Sequence, residues 1–154
     1  MAVPKLTVEA RGLWKGESLL NLAYLPEDER VTASASELLV ETDNQETFAT
    51  LSYTWSHEGN PHQGKILISQ SDKANTVELA WVDSWHQSAS IMNLAGEVSD
   101  PGDFKAKGSF PAGDETWYWT IALTFQGAKL FLEMECISAA GEVDWAVRGT
   151  YERA

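Results

Sequence analysis

The chain has 154 residues, 44% of them hydrophobic, and 23 acids against 11 bases give it a net charge of −12. That length suits one domain spanning residues 1–154, and that apolar share excludes a disordered chain. The negative balance, uninterrupted by any cluster of Lys or Arg, excludes nucleic acid and anionic membranes as expected partners.

In chain order, MAVPKLTVEARGLW carries no apolar run of signal-peptide length, and no later stretch approaches a membrane span. A cytoplasmic location is therefore expected. A first strand opens in RGLWKGES and ends before the turn residues LPEDE, 25–29. EDERVTASASELL has some helical period, but Val31, Thr32 and the alternating Ala and Ser residues fit a strand, so no helix is expected. After a break at TDNQE (42–46), ATLSYTWSH sets Leu51, Tyr53, Trp55 and His57 opposite Thr50, Ser52, Thr54 and Ser56. That is the alternation of a half-buried strand.

HEGNPHQG (57–64) and SDKAN (71–75) are the next breaks. Residues 76–98 are too many for one strand, and the least apolar place for a further break is SWHQS, 84–88. SDPGD (99–103) and FPAGDE (110–115) follow. ETWYWTIALTF then places Trp117, Trp119, Ile121, Leu123 and Phe125 on one face, with Thr116, Tyr118, Thr120 and Thr124 on the other. Beyond FQGAK (125–129), KLFLEMECI sets Leu130, Leu132, Met134 and Cys136 against Glu133 and Glu135. SAAGE (138–142) precedes the last strand, WAVRGTYER.

Nine breaks imply about ten strands in an antiparallel meander. An open sheet of that size would leave long edges and a naked apolar face; closing it into an up-and-down barrel removes both. A two-sheet sandwich would use the same strands, but no long crossover is visible, so the expected fold is an all-β antiparallel barrel. Seven tryptophans promise thick aromatic walls around a filled core or a ligand cavity.

Tyr53, Trp55, His57, Trp81, Trp117 and Trp119 fall on apolar strand faces and are the candidate lining. WVDSWH, residues 81–86, adds Asp83 and His86. At a strand end Asp83 either bonds turn amides or serves as a pocket acid. His86 is either a rim histidine in water or the partner of Asp83 in acid–base chemistry. Ser84 lies between them, but adjacency does not make a triad, and no G-x-S-x-G elbow exists. His57 and His62, with Glu58 between, read as solvated turn residues, so no metal is expected. Cys136, the single cysteine, permits no intramolecular disulfide and reads as a small core residue.

Gly12, Leu13 and Trp14 resemble the G-x-W signature that opens the first strand of lipocalins and their calycin relatives. The resemblance implies a tryptophan plugging one barrel end under an arginine of the last strand, here Arg148. A T-D-Y type motif before a late strand is missing, which together with the lone cysteine points away from a secreted lipocalin. The order LWKGES, AWVDSWHQSASIM, an isolated Gly96 and VRGTYER resembles a bacterial domain-of-unknown-function family, fifteen-seventy-nine. That resemblance implies a calycin-like barrel and carries no activity across. The haem-binding nitrobindin relatives use a histidine late in the chain; here the histidines are His57, His62 and His86, so haem is not the expected cofactor.

The leading expectation is a cavity that binds a small apolar or aromatic molecule. The alternatives are an isomerase- or lyase-type enzyme using Asp83 and His86, and a homodimeric interaction module with aromatics on its outer face.

Overall fold

The computed structural model describes residues 3–71, 75–86 and 90–154. Ten strands follow one another: β1 (Gly12–Asn21), β2 (Val31–Thr42), β3 (Ala49–His57), β4 (Asn60–Ser71), β5 (Thr76–Asp83), β6 (Met92–Val98), β7 (Phe104–Ala112), β8 (Glu115–Gln126), β9 (Lys129–Ile137) and β10 (Val143–Arg153). Each pairs with its predecessor, and β10 closes antiparallel onto β1. The protein is an up-and-down barrel with no free sheet edge.

Strand parity sorts the residues as the alternation requires. Leu51, Tyr53 and Trp55 of β3, Trp81 and Asp83 of β5, and Trp119, Ile121 and Leu123 of β8 are all buried. The hairpins are tighter than the turn composition suggested. HEGNPHQG contracts to a two-residue turn, because Glu58 and Gly59 both take positive φ, 51° and 78°. Such a turn matches the twist of the flanking strands. Asn60 to Gly64 are therefore strand. Pro61 is tolerated because β4 meets β5 only from Gly64 onward, opposite Asp83.

A short helix that alternation did not reveal, α1 (Lys5–Glu9), precedes the barrel. A segment this short shows too little of the 3.6-residue period to be read from sequence. Its buried face, Leu6 and Thr7, together with Val3 and Ala10, lids one end. Under it Trp14 is fully buried, donates its indole N–H to Ala10 O at 2.7 Å, and meets Phe125 edge-on at 5.7 Å. EDERVTASASELL is strand from Val31, preceded by a single 3-10 turn at Glu27–Glu29.

The cation over Trp14 is Arg153, not Arg148. The Arg153 guanidinium sits 4.5 Å from the Trp14 ring and donates to Glu9 O at 2.6 Å and Arg11 O at 2.9 Å. Parity explains the correction. Arg153 shares the inward side of β10 with the buried Tyr151 and pairs in register with Trp14. Arg148 lies on the opposite side, exposed, over the Trp145 ring at 4.1 Å.

Candidate functional site

Tyrosines enter the barrel where glycine leaves room, Gly64 on the neighbouring strand for Tyr53 and Gly149 two residues back on the same strand for Tyr151. A Cβ on Gly64 of β4 would run into the Tyr53 hydroxyl, and one on Gly149 would lie 2.7 Å from the Tyr151 ring. Each ring lies flat across bare backbone, a form of aromatic cover for glycine. That placement delivers two hydroxyls to the interior. The Tyr151 hydroxyl lies 2.8 Å from Ser36 Oγ; since Ser36 donates to Thr54 O at 2.6 Å, Tyr151 is the donor of that pair.

Tyr53 centres a second network. Its hydroxyl donates to Asp83 Oδ2 at 2.6 Å and accepts the Trp81 indole N–H at 2.9 Å. Burial first, and then the charge of Asp83, push the Tyr53 hydroxyl well above its ordinary pKa, so it remains a donor. The other oxygen of Asp83, Oδ1, accepts the backbone N–H groups of Trp85 and His86 at 2.8 and 2.9 Å. Asp83 thus bonds turn amides and faces the barrel interior at once. Its partner at the turn is the backbone of His86 rather than the imidazole.

Beyond this network the barrel end is aromatic. Trp81 and Trp119 stack at 5.2 Å and 14°. The His86 imidazole lies against Trp55 at 5.5 Å and 23°, with Trp119 at 5.3 Å and Trp81 at 5.9 Å. Trp85 meets Trp55 edge-on at 5.6 Å and His57 at 5.5 Å. His62 packs on Trp55 at 4.9 Å, and its Nδ1 lies 3.1 Å from Ser84 Oγ.

Of the residues expected in a lining, Tyr53, Trp55, His57, Trp81, Asp83, His86 and Trp119 therefore converge. Trp117 stands apart at the start of β8, donating its indole N–H to Glu115 Oε2 at 2.9 Å. Trp85 and Tyr151 were not anticipated. Parity cannot be read inside a turn, which hid Trp85; the G-x-Y spacing of Gly149 and Tyr151 was the available sign of the other. The expected break at 84–88 begins where β5 ends at Asp83, and its residues 87 and 88 lie outside the described residues.

Among the described residues an interior cavity of about 10 Å³ is bordered by Ser18, Tyr53, Trp55, Asp83, His86 and Tyr151 among others. That is room for roughly one water. Larger concavities lie outside, one of about 670 Å³ over the outer faces of β1 to β5. Among the described residues no group of three or more His, Cys, Asp or Glu is placed to hold a metal ion. Burial and the nearby Asp144 push the Cys136 thiol upward, away from thiolate chemistry.

The site also shifts the titration of His86. Burial lowers its pKa to about 4 from 6.5, against the opposing pull of Asp83 and helped by His62. In the unfolded chain it protonates near the ordinary value, so below pH 6.5 the unfolded state binds a proton that the folded state refuses. The stability this neutral imidazole supplies is complete above pH 6.5 and is lost as pH falls towards 4, by about 3 kcal/mol. Urea unfolding of wild type and His86→Phe at pH 7.5, 6, 5 and 4 checks this. The difference between the two proteins should shift by that amount in favour of the variant; a constant difference contradicts it.

No described helix is long and apolar enough to cross a membrane. The closed ten-stranded antiparallel barrel is compatible with a calycin- or lipocalin-like fold. No protein-family model matches the chain, and no curated protein matches it, so the likeness to family fifteen-seventy-nine stands on the spaced residues quoted above alone.

Proposed function

We propose that this barrel binds a small apolar or aromatic molecule at its aromatic end, around Trp55, Trp81, His86 and Trp119. One observation carries the reading. Five buried side-chain polar atoms have no hydrogen-bond partner among the described residues, and four of them belong to this one cluster: Trp55 Nε1, His57 Nδ1, His86 Nε2 and Trp119 Nε1. Each such atom costs about 1–3 kcal/mol when left unpaired in a folded interior. Their concentration at one place, walled by stacked rings, fits a site whose partner comes from outside the chain. The charge of −12 favours a neutral or cationic molecule over an anionic one.

The acid–base alternative has one point in its favour: Asp83 and His86 border the same interior cavity. Against it, both oxygens of Asp83 are engaged by Tyr53 and the turn amides, and an imidazole with a pKa of about 4 is a weak proton acceptor at neutral pH. Binding is therefore the better-supported function.

Native mass spectrometry of the purified chain, followed by tryptophan-emission titration with a panel of neutral aromatic compounds, tests the proposal. A bound compound whose affinity drops about tenfold or more in Trp119→Ala is expected. Absence of any bound compound, with emission unmoved across the panel, would sink it.

A further inference from the structure

His86 presents a flat, uncharged ring to its neighbours, and those neighbours describe what the position accepts. The imidazole is held between Trp55 and Trp119, with Trp81 close by. Trp55 is 6% exposed and Trp119 8%, and the indole nitrogen of each is buried without an acceptor. An indole nitrogen can only donate, so both require acceptor atoms. The nearby acid does not supply them, because Asp83 already serves Tyr53 and the amides of Trp85 and His86. Asp83 also fixes the backbone of the turn and not the imidazole. The imidazole itself is held by packing against the rings of Trp55, Trp81, Trp85 and Trp119.

We propose that the space held by His86 between Trp55 and Trp119 is the ligand seat, and that its ligand is a flat, uncharged ring system carrying oxygen or nitrogen acceptors for the two indole N–H groups. This rests on the binding function proposed above and specifies its ligand class. A pure hydrocarbon would fill the seat yet leave both donors buried and unpaired. A carboxylate would enter with its charge unmatched, since no Lys or Arg is among the described residues bordering the interior cavity. A water-sized interior void explains why the imidazole must leave before a ring enters.

Three compounds of similar outline separate the classes: chromone with neutral acceptors, naphthalene with none, and 1-naphthoate with a charge. Calorimetric and emission titrations use the full chain at pH 7.5. Chromone should bind about tenfold tighter than either of the others, and its advantage over naphthalene should vanish in Trp55→Phe and Trp119→Phe, which keep the ring faces. His86→Ala, which empties the seat, should tighten chromone binding. If a phenylalanine variant does not fold, the ranking on the wild-type chain decides. Naphthalene or naphthoate binding as tightly as chromone overturns the ligand class and leaves the binding function standing. Silence of all three compounds on both wild type and His86→Ala overturns the ligand class, and the binding function falls with it only if native mass spectrometry and the wider panel are silent as well.

Discussion

Asp83→Ala is expected to destabilise the protein by about 3–5 kcal/mol, the range seen when one member of a buried, hydrogen-bonded charged group is removed. Asp83 is 4% exposed and accepts three hydrogen bonds, from the Tyr53 hydroxyl and from two amides that start the β5–β6 turn. Truncation strands the hydroxyl inside the barrel and frees the turn that carries Trp85 and His86. For a chain of this size the loss corresponds to a fall in Tm of roughly 10 °C or more. Asp83→Asn should lose about half as much. Its carbonyl can still take the turn amides, but its amide would confront a Tyr53 oxygen that already accepts from Trp81. Urea unfolding of both variants measures this. A cost under about 1 kcal/mol for the alanine variant would mean that the network is not what holds this end of the barrel.

At the opposite end the same order of effect is expected from Trp14→Ala, about 3–5 kcal/mol, because a fully buried indole leaves a cavity that a closed barrel cannot collapse. The variant also loses the bond to Ala10 O, and with it the seat on which α1 rests. Arg153 and Arg148 divide sharply in this respect. Arg153→Met removes two hydrogen bonds to the chain before β1 and the cation over Trp14, and should cost about 1–2 kcal/mol. Arg148→Met removes an exposed cation from the half-buried Trp145 ring and from the neighbourhood of Glu135, and should stay within about 0.5 kcal/mol. Thermal unfolding of the three variants side by side is sufficient. Equal costs for the two arginines would contradict the assignment of Arg153 as the residue that closes this end.

The two ends show how far local pattern reaches. In ETWYWTIALTF and ATLSYTWSH alternation assigned the inward side without error for Trp119, Ile121, Leu123, Leu51, Tyr53 and Trp55, because a one-residue slip would have turned an apolar row to water. At WVDSWH the rule stopped at Asp83. A turn has no fixed side-chain period, so neither the burial of His86 nor the arrival of Trp85 beside Trp55 and His57 could be read. Arg148 was chosen for lying in the last strand, and the even spacing of Tyr151 and Arg153 was the overlooked sign that the inward cation lay further along.

The sequence by itself determined the strand count, the antiparallel meander, the inward faces and the candidate residues at 53–57, 81–86 and 119. These depend on period-two burial and on turn residues, which act over a few positions. Only the tertiary structure decided the register in which β10 meets β1, that α1 and Arg153 seal the Trp14 end, and that the unpaired nitrogens of Trp55, His57, His86 and Trp119 gather at one end. Closure sets shear and register across the whole sheet, and it is register that brings β3, β5 and β8 side chains to one point. No local pattern carries that distance.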